Sequence, residues 1–172
     1  MSSSPPDTVS LSRKTLKVVM ALNLLTGGLI VGLLVASVIA SSTVFRALGV
    51  TAGQDNTALI TGMRLIMVIG IIAVPLAHVI LSRLLDIVRT VAAGDPFVAG
   101  NAARLQTIAW ALLGLEVLHL VVGAISAVTS TPGQSLDLGW GFSFTRWLAV
   151  LLLFVLARVF TQGTQMRQDL DG

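Results

Sequence analysis

The chain has 172 residues, enough for one domain; 55% of them are hydrophobic and only 11% are charged. A soluble domain carries about 25% charged residues, so this composition excludes an ordinary water-facing surface and predicts a protein embedded in lipid. Cysteine is absent, which excludes disulfides, thiol redox chemistry and cysteine-ligated zinc. The net charge of +3 comes from basic residues near the ends of apolar stretches. There they anchor helices at lipid headgroups, so direct nucleic-acid binding is not expected.

The first predicted element is a membrane-spanning helix near residues 15–45. It follows a Ser- and Pro-rich stretch, residues 1–14, whose composition predicts a disordered cytoplasmic tail. No charge interrupts the chain from Val18 to Val44, which exceeds the roughly 20 residues that a bilayer requires. A cleavable signal peptide is the alternative, but its hydrophobic region is only about 7–15 residues long. An uncleaved helix is therefore favoured.

Small residues recur at every fourth position of this first helix, at Gly28, Gly32 and Ala36. Such a stripe lets another helix approach closely. A helix of the same bundle is the favoured partner, and a second copy of the chain, giving an oligomer, is the alternative. Asn23 is expected to make an interhelical hydrogen bond near the depth of His78.

The second helix is predicted near residues 57–93. Arg64 and Arg83 enclose a span of 19 positions, about 28 Å of helix, which matches one hydrocarbon thickness. Pro75 inside this span predicts a kink. The apolar positions continue at helical spacing past Arg83, and Gly94-Asp95-Pro96 predicts the end of the helix.

The third and fourth helices are predicted near residues 101–129 and 142–168. Asn101 is a suitable N-cap for the third helix, and an earlier start at Asp95 is the alternative. Several Gly and Pro residues between Thr129 and Gly141 predict a loop.

The basic residues predict the orientation of this four-helix transmembrane domain, residues 15–172. Eight Lys and Arg residues lie in the N-terminal tail, the connection between the second and third helices and the C-terminal end, whereas three lie on the opposite side. The positive-inside rule then predicts that both termini are cytoplasmic. Together with the four apolar spans, this predicts an all-α, integral membrane four-helix bundle in the inner membrane. Trp140 and Trp147 are placed to form an aromatic belt at the outer end.

Glu116 is the only glutamate in the chain and the most costly residue of the predicted spans. It lies 12 positions past Arg104, about 18 Å along a helix, where an ionised carboxylate costs on the order of 3 kcal/mol or more. It must be protonated, paired or facing a wet cavity, and His119 lies on the same helix face. One interpretation is a pair that handles protons or cations; the other is a packing group bonded to neighbouring helices.

A metal site is not expected, although Glu116 and His119 resemble half of a di-iron bundle motif. No further glutamate exists, and His78 is predicted about 10 Å nearer the inner boundary, too far to share a zinc ion. No hydrolase or cofactor motif is present, so no catalytic residue, cofactor or enzyme activity is predicted. Arg158 either snorkels at the inner interface or is submerged and pairs with Glu116. Snorkelling is favoured because arginine is expensive in hydrocarbon.

Two groups of residues in the second half of the chain form a pattern. They are Gly94-Asp95-Pro96-Phe97, Asn101 and Arg104-Leu105, and then the run from Phe154 to Phe160 with Gly163, Met166-Arg167 and Asp169-Leu170. In this order they resemble a bacterial family of four-helix membrane proteins, domain-of-unknown-function family 2975, over roughly residues 15–172. The resemblance implies a regulatory partner, because members often look to be encoded beside a small helix-turn-helix regulator. It supplies no catalytic residue, and some members carry an acid near the position of Arg158, so that residue receives no role from it.

These features together predict a non-enzymatic multi-pass membrane protein that acts through its cytoplasmic surfaces. Its expected partners are the lipid bilayer and a cytoplasmic regulatory protein. The alternative is a small transporter or channel component in which Glu116 and His119 handle protons or cations. The candidate intramembrane polar site consists of Glu116, His119, Asn23, His78 and Arg158.

Overall fold

The computed structural model describes residues 6–48, 57–94, 98–129 and 143–171, and every regular element in these ranges is an α-helix. The helices are α1 (Pro6–Ile39), α2 (Ser41–Ala47), α3 (Thr57–Ala92), α4 (Ala99–Thr129) and α5 (Phe144–Asp171). All except the short α2 are long and apolar enough to cross a membrane. The predicted all-α fold with four membrane-spanning helices is therefore confirmed.

The four long helices pack in chain order, with α1 against α3, α3 against α4, and α4 against α5. Each pair is antiparallel, because contacts that advance along one helix move backwards along the next. The contacts are Gly27 with Val74 and Ser37 with Arg64 for α1 and α3, Thr90 with Asn101 and Gly62 with Thr129 for α3 and α4, and Trp110 with Phe154 and Glu116 with Arg146 for α4 and α5. The start of α1 and the end of α5 therefore lie at one end of the molecule, here termed the terminal end. The opposite end, where α1 stops and α5 starts, is termed the loop end.

Helix α1 starts earlier than the sequence predicts. It begins at Pro6, so residues 6–14, assigned to a disordered tail, are helical in the structure. Proline suits the first turn of a helix, because its φ is already helical and the N–H that it lacks would have no partner there. The long apolar helix that follows thus extends into this polar stretch.

Helix α1 also stops earlier than predicted, at Ile39, and the chain resumes as α2 after Ala40 leaves the helical conformation with φ −124° and ψ 49°. In a continuous helix the carbonyl of Ser37 would accept the N–H of Ser41. Here the guanidinium of Arg64 donates to that carbonyl and lies 5.5 Å from the ring centre of Phe45, which is 2% exposed. The contact with α3 thus competes with helix continuation.

The packing face of α1 differs from the predicted one. A Cβ placed on Gly27 would lie 3.0 Å from Cγ1 of Val74, whereas Gly28 and Gly32 have open space around them among the described residues. These two glycines therefore do not pack against another helix of the bundle, because successive positions on a helix point about 100° apart. Oligomerisation through Gly28, Gly32 and Ala36 stays a prediction.

Helix α3 continues past Arg83 to Ala92, as the apolar spacing predicts. Its end is marked by Gly94, whose φ of +86° lies in the left-handed region that favours glycine. The N–H of Gly94 donates to the carbonyl of Val91 at 3.1 Å, so the backbone is hydrogen-bonded locally where the helix ends. The predicted break at Asp95-Pro96 lies outside the described residues.

Helix α4 starts at Ala99, and the N–H of Asn101 donates to the carbonyl of Val98 at 2.9 Å. Asn101 therefore lies inside the first turn and is not the N-cap that the sequence predicts, because its side chain is used in tertiary contacts. The predicted loop after Thr129, with Trp140, lies outside the described residues.

Candidate functional site

Three polar side chains meet between the middle of α4 and the first turn of α5. Nε of Arg146 lies 3.6 Å from Oε2 of Glu116, and its Nη2 lies 3.0 Å from Nε2 of His119. The Glu116 side chain is 14% exposed and that of Arg146 is 40% exposed. These three residues are termed the Arg146 cluster.

Helix geometry explains how the Arg146 cluster assembles. Glu116 and His119 are three positions apart on α4 and so share one face. Antiparallel packing places Arg146, in the first turn of α5, beside that face. A cation near a helix N-terminus opposes the helix dipole, so the nearby carboxylate offsets an unfavourable position as well as a buried charge.

The chemistry of arginine determines the state of His119. A guanidinium has only donors, so Nε2 of His119 must accept the hydrogen bond from Arg146. His119 is therefore neutral in this arrangement and carries its proton on Nδ1. The contact with Glu116 is longer than a hydrogen bond and is an ion pair, which leaves the charges of Glu116 and Arg146 balanced.

Sequence reasoning treated Arg146 as a marker of the outer boundary and missed it as the partner of Glu116. The sequence feature that could have revealed this pairing is the spacing of 12 residues between Arg146 and Arg158. That spacing is about 18 Å of helix, which is too short for both arginines to lie at membrane boundaries. Arg146 is the one that reaches into the span, because the acid is there.

Arg158 lies towards the terminal end of α5 and lines a cavity of about 350 Å³ with Gln106, Phe154, Ala157 and Thr161. Its side chain is exposed. The submerged alternative, in which Arg158 pairs with Glu116, is not the arrangement in the structure, since Arg146 occupies that place. Snorkelling at the interface fits the exposed position.

Asn23 does not reach the Arg146 cluster, because α1 packs against α3. Its Nδ2 donates to the carbonyl of Val74 at 3.1 Å, so the expected interhelical hydrogen bond is present, one turn from His78. The next residue, Pro75, lacks an N–H and interrupts the hydrogen-bond ladder of α3 at this depth. Asn23 thus adds a side-chain bond one residue before the position where proline removes a backbone donor.

His78 lies closer to the depth of Glu116 than the sequence predicts. Leu76 packs on Gly114, where an added Cβ would lie 3.3 Å from Cδ1 of the leucine, so His78 is only about 6 Å from the level of Glu116 along the helix axes. The predicted offset of about 10 Å assumed that Arg83 and the corresponding arginine of α4 share a depth. They do not, because Arg104 lies about 5 Å nearer the terminal end than Arg83 does.

Nδ1 of His78 is buried and makes no hydrogen bond within the described part of the chain. In the same described ranges, no three His, Asp or Glu side chains come together in a group that could hold a metal ion. His78 and the Arg146 cluster are therefore separate features of the same membrane layer.

A second polar cluster joins α3 to α4 at the terminal end. Asn101 is 1% exposed; its Nδ2 donates to Oγ1 of Thr90 at 2.8 Å, and its Oδ1 accepts from Nη1 of Arg104 at 2.7 Å. These bonds hold the first turn of α4 against the last turn of α3. The sequence analysis singled out Asn101 as a cap and as part of the family pattern, but not as a contact between helices. The available signal was its spacing of three from Arg104, which places both on one face.

A family model described as "Protein of unknown function (DUF2975)" matches residues 40–172. No curated protein and no solved structure matches the chain. The matched range includes α2, α3, α4 and α5, and with them the Arg146 cluster and the contacts of Asn101. Because the match covers more than half of the sequence and agrees with the four-helix fold, the chain belongs to the DUF2975 family of proteins of unknown function.

Proposed function

We propose that this protein is a non-enzymatic, multi-pass protein of a bacterial inner membrane that binds a cytoplasmic regulatory protein through its terminal end. The observation that carries the proposal is the pairing of Glu116 with Arg146 inside the chain. A carboxylate balanced by a guanidinium and a neutral histidine is suited to holding α4 against α5. The surface left for a partner is the polar terminal end.

The terminal end offers a charged surface for such a partner. Helix α3 carries there a row of charged side chains in which Asp86 pairs with Arg89 at 3.1 Å and with Arg83 at 4.0 Å. The two arginine side chains are 55% and 47% exposed, respectively. Exposed ion pairs contribute little to folding, about 0–1 kcal/mol, so this row can exchange its contacts for those of a partner at low cost.

The excess of basic residues at the terminal end supports a cytoplasmic location for both termini. The absence of cysteine allows a direct test, since a single introduced cysteine is the only thiol. Gln162→Cys, in the last third of α5, should be protected from a membrane-impermeant maleimide in spheroplasts, whereas Thr43→Cys in α2 should react. The reverse pattern would refute this orientation.

Site-specific photo-crosslinking in cells tests the partner surface. A photoreactive residue at Arg89 should give a discrete protein adduct, whereas the same residue at Leu152, which is 57% exposed on the apolar part of α5, should not. Mass spectrometry of the adduct identifies the partner. No adduct at Arg89, or equal adducts at both positions, contradicts the proposal.

Ion movement through the Arg146 cluster is the competing function. Purified protein in proteoliposomes with an entrapped pH dye should conduct neither protons nor potassium above protein-free vesicles. A flux that Glu116→Gln abolishes, while the variant remains folded, would replace partner binding with proton or cation handling.

A further inference from the structure

We propose that the cavity between α4 and α5 at the terminal end binds the phosphate headgroup of an anionic phospholipid, with Arg158 as the residue that holds the phosphate. The cavity has a volume of about 350 Å³, at the lower end of the roughly 300–1,000 Å³ typical of ligand pockets. Gln106, Arg158 and Thr161 form its polar lining, and Phe154 and Ala157 form its apolar lining.

Two of these polar side chains have no partner within the described part of the chain. Neither Arg158 nor Gln106 makes a hydrogen bond or an ion pair there. The acids with described side chains are Glu116, which pairs with Arg146, and Asp86, which pairs with arginines of α3. An anion that neutralises Arg158 must therefore come from outside these contacts.

The donors fit a phosphodiester. The guanidinium presents paired N–H groups in a planar fork that matches two phosphate oxygens, and the amide of Gln106 adds a further donor from α4. Arg158 also stands at the change from apolar to polar sequence on α5, after Val155-Leu156-Ala157 and before Thr161-Gln162. A group at that point lies where lipid headgroups meet the hydrocarbon.

The neighbouring surface suits acyl chains. Phe154 packs edge-on against Trp110, with ring centres 5.2 Å apart. Trp110 is 59% exposed and Val155 is 52% exposed, so apolar surface continues from the cavity towards the membrane interior. A ligand with both a phosphate and hydrocarbon chains satisfies the two halves of this site together, which a soluble phosphate does not.

Trp110 provides the measurement, because it touches a residue of the cavity wall. Replacing Trp140 and Trp147 by phenylalanine leaves Trp110 as the only one of the three tryptophans. In vesicles of phosphatidylcholine with added brominated lipid, brominated phosphatidylglycerol should quench Trp110 with about tenfold higher relative affinity than brominated phosphatidylcholine. Both lipids carry a phosphodiester, but the choline cation of phosphatidylcholine offsets its charge, so only phosphatidylglycerol brings a net negative charge to Arg158; about 1.4 kcal/mol of such a difference is a factor of ten.

Arg158→Gln in this background should reduce the preference for phosphatidylglycerol to less than about twofold, and Arg158→Lys should retain part of it. Arg89→Gln is the matched control, since it removes an exposed arginine at the same end that already pairs with Asp86. It should keep the full preference. If Arg158→Gln does not fold, Gln106→Leu serves instead and should lower the preference several-fold.

Three results would overturn the assignment. One is an unchanged preference in Arg158→Gln, or in Gln106→Leu where that variant is used. Another is an equal loss in Arg89→Gln, which would indicate general surface charge. The third is relief of quenching by millimolar inorganic phosphate or glycerol phosphate, which would make a soluble phosphate compound the ligand.

Discussion

Replacing Arg146 by methionine should leave the carboxylate of Glu116 without its counter-charge between α4 and α5. Methionine retains much of the apolar stem of arginine, so the main loss is electrostatic. Breaking a fully buried pair by removing one partner costs about 3–5 kcal/mol, whereas an exposed pair is worth less than about 1 kcal/mol. Because Glu116 is 14% and Arg146 is 40% exposed, we expect the free energy of unfolding to fall by about 2 kcal/mol.

Unfolding of the purified protein in mixed micelles of a mild detergent and dodecyl sulfate, followed by circular dichroism, measures this loss. A double-mutant cycle with Glu116→Gln isolates the pair from other effects of each substitution. The double variant should lose less stability than the two single variants added together, with a coupling energy of at least about 1 kcal/mol. Arg158→Met is the matched control on the same helix and should change stability by no more than about 0.5 kcal/mol.

A coupling energy near zero would refute the ion pair as a stabilising contact. So would a loss in Arg158→Met equal to that in Arg146→Met, because the cost would then belong to removing any arginine from α5.

Three further substitutions test other contacts by the same unfolding measurement. Asn23→Leu should cost about 0.6 kcal/mol, the usual contribution of an interhelical hydrogen bond in a membrane. Thr26→Val, which removes a hydroxyl that bonds to its own helix, should cost less, and equal losses would count against the bond from Asn23 to α3. Gly62→Ala should cost about 1–3 kcal/mol, because its Cβ would lie 2.6 Å from a threonine oxygen of α4. Gly28→Ala, in open space, should be neutral or stabilising, and the opposite order would contradict the packing. Asn101→Ala should cost about 1–3 kcal/mol by leaving buried polar groups of α3 and α4 unpaired, and a neutral result would show that water replaces the amide.

Local sequence signals predicted the end of α3 but not the end of α1. The spacing of apolar residues past Arg83 and the glycine at position 94 anticipated where α3 stops, because a left-handed glycine is a local signal. The break at Ala40 was not anticipated, because it depends on Arg64, 24 positions away, donating to the carbonyl of Ser37. Local residues gave no sign of that contact.

The sequence by itself determined the membrane class, the four spans and the family. In hydrocarbon every backbone N–H and carbonyl must be satisfied within its own helix, so a sufficiently long apolar run is enough to specify a span. Only the tertiary structure decided that Glu116 meets Arg146 and that Gly27, one position from the predicted stripe, is the close contact of α1. The rotation and depth of each helix are set by side-chain packing against its neighbours, a non-local property that the apolar pattern of one span does not contain.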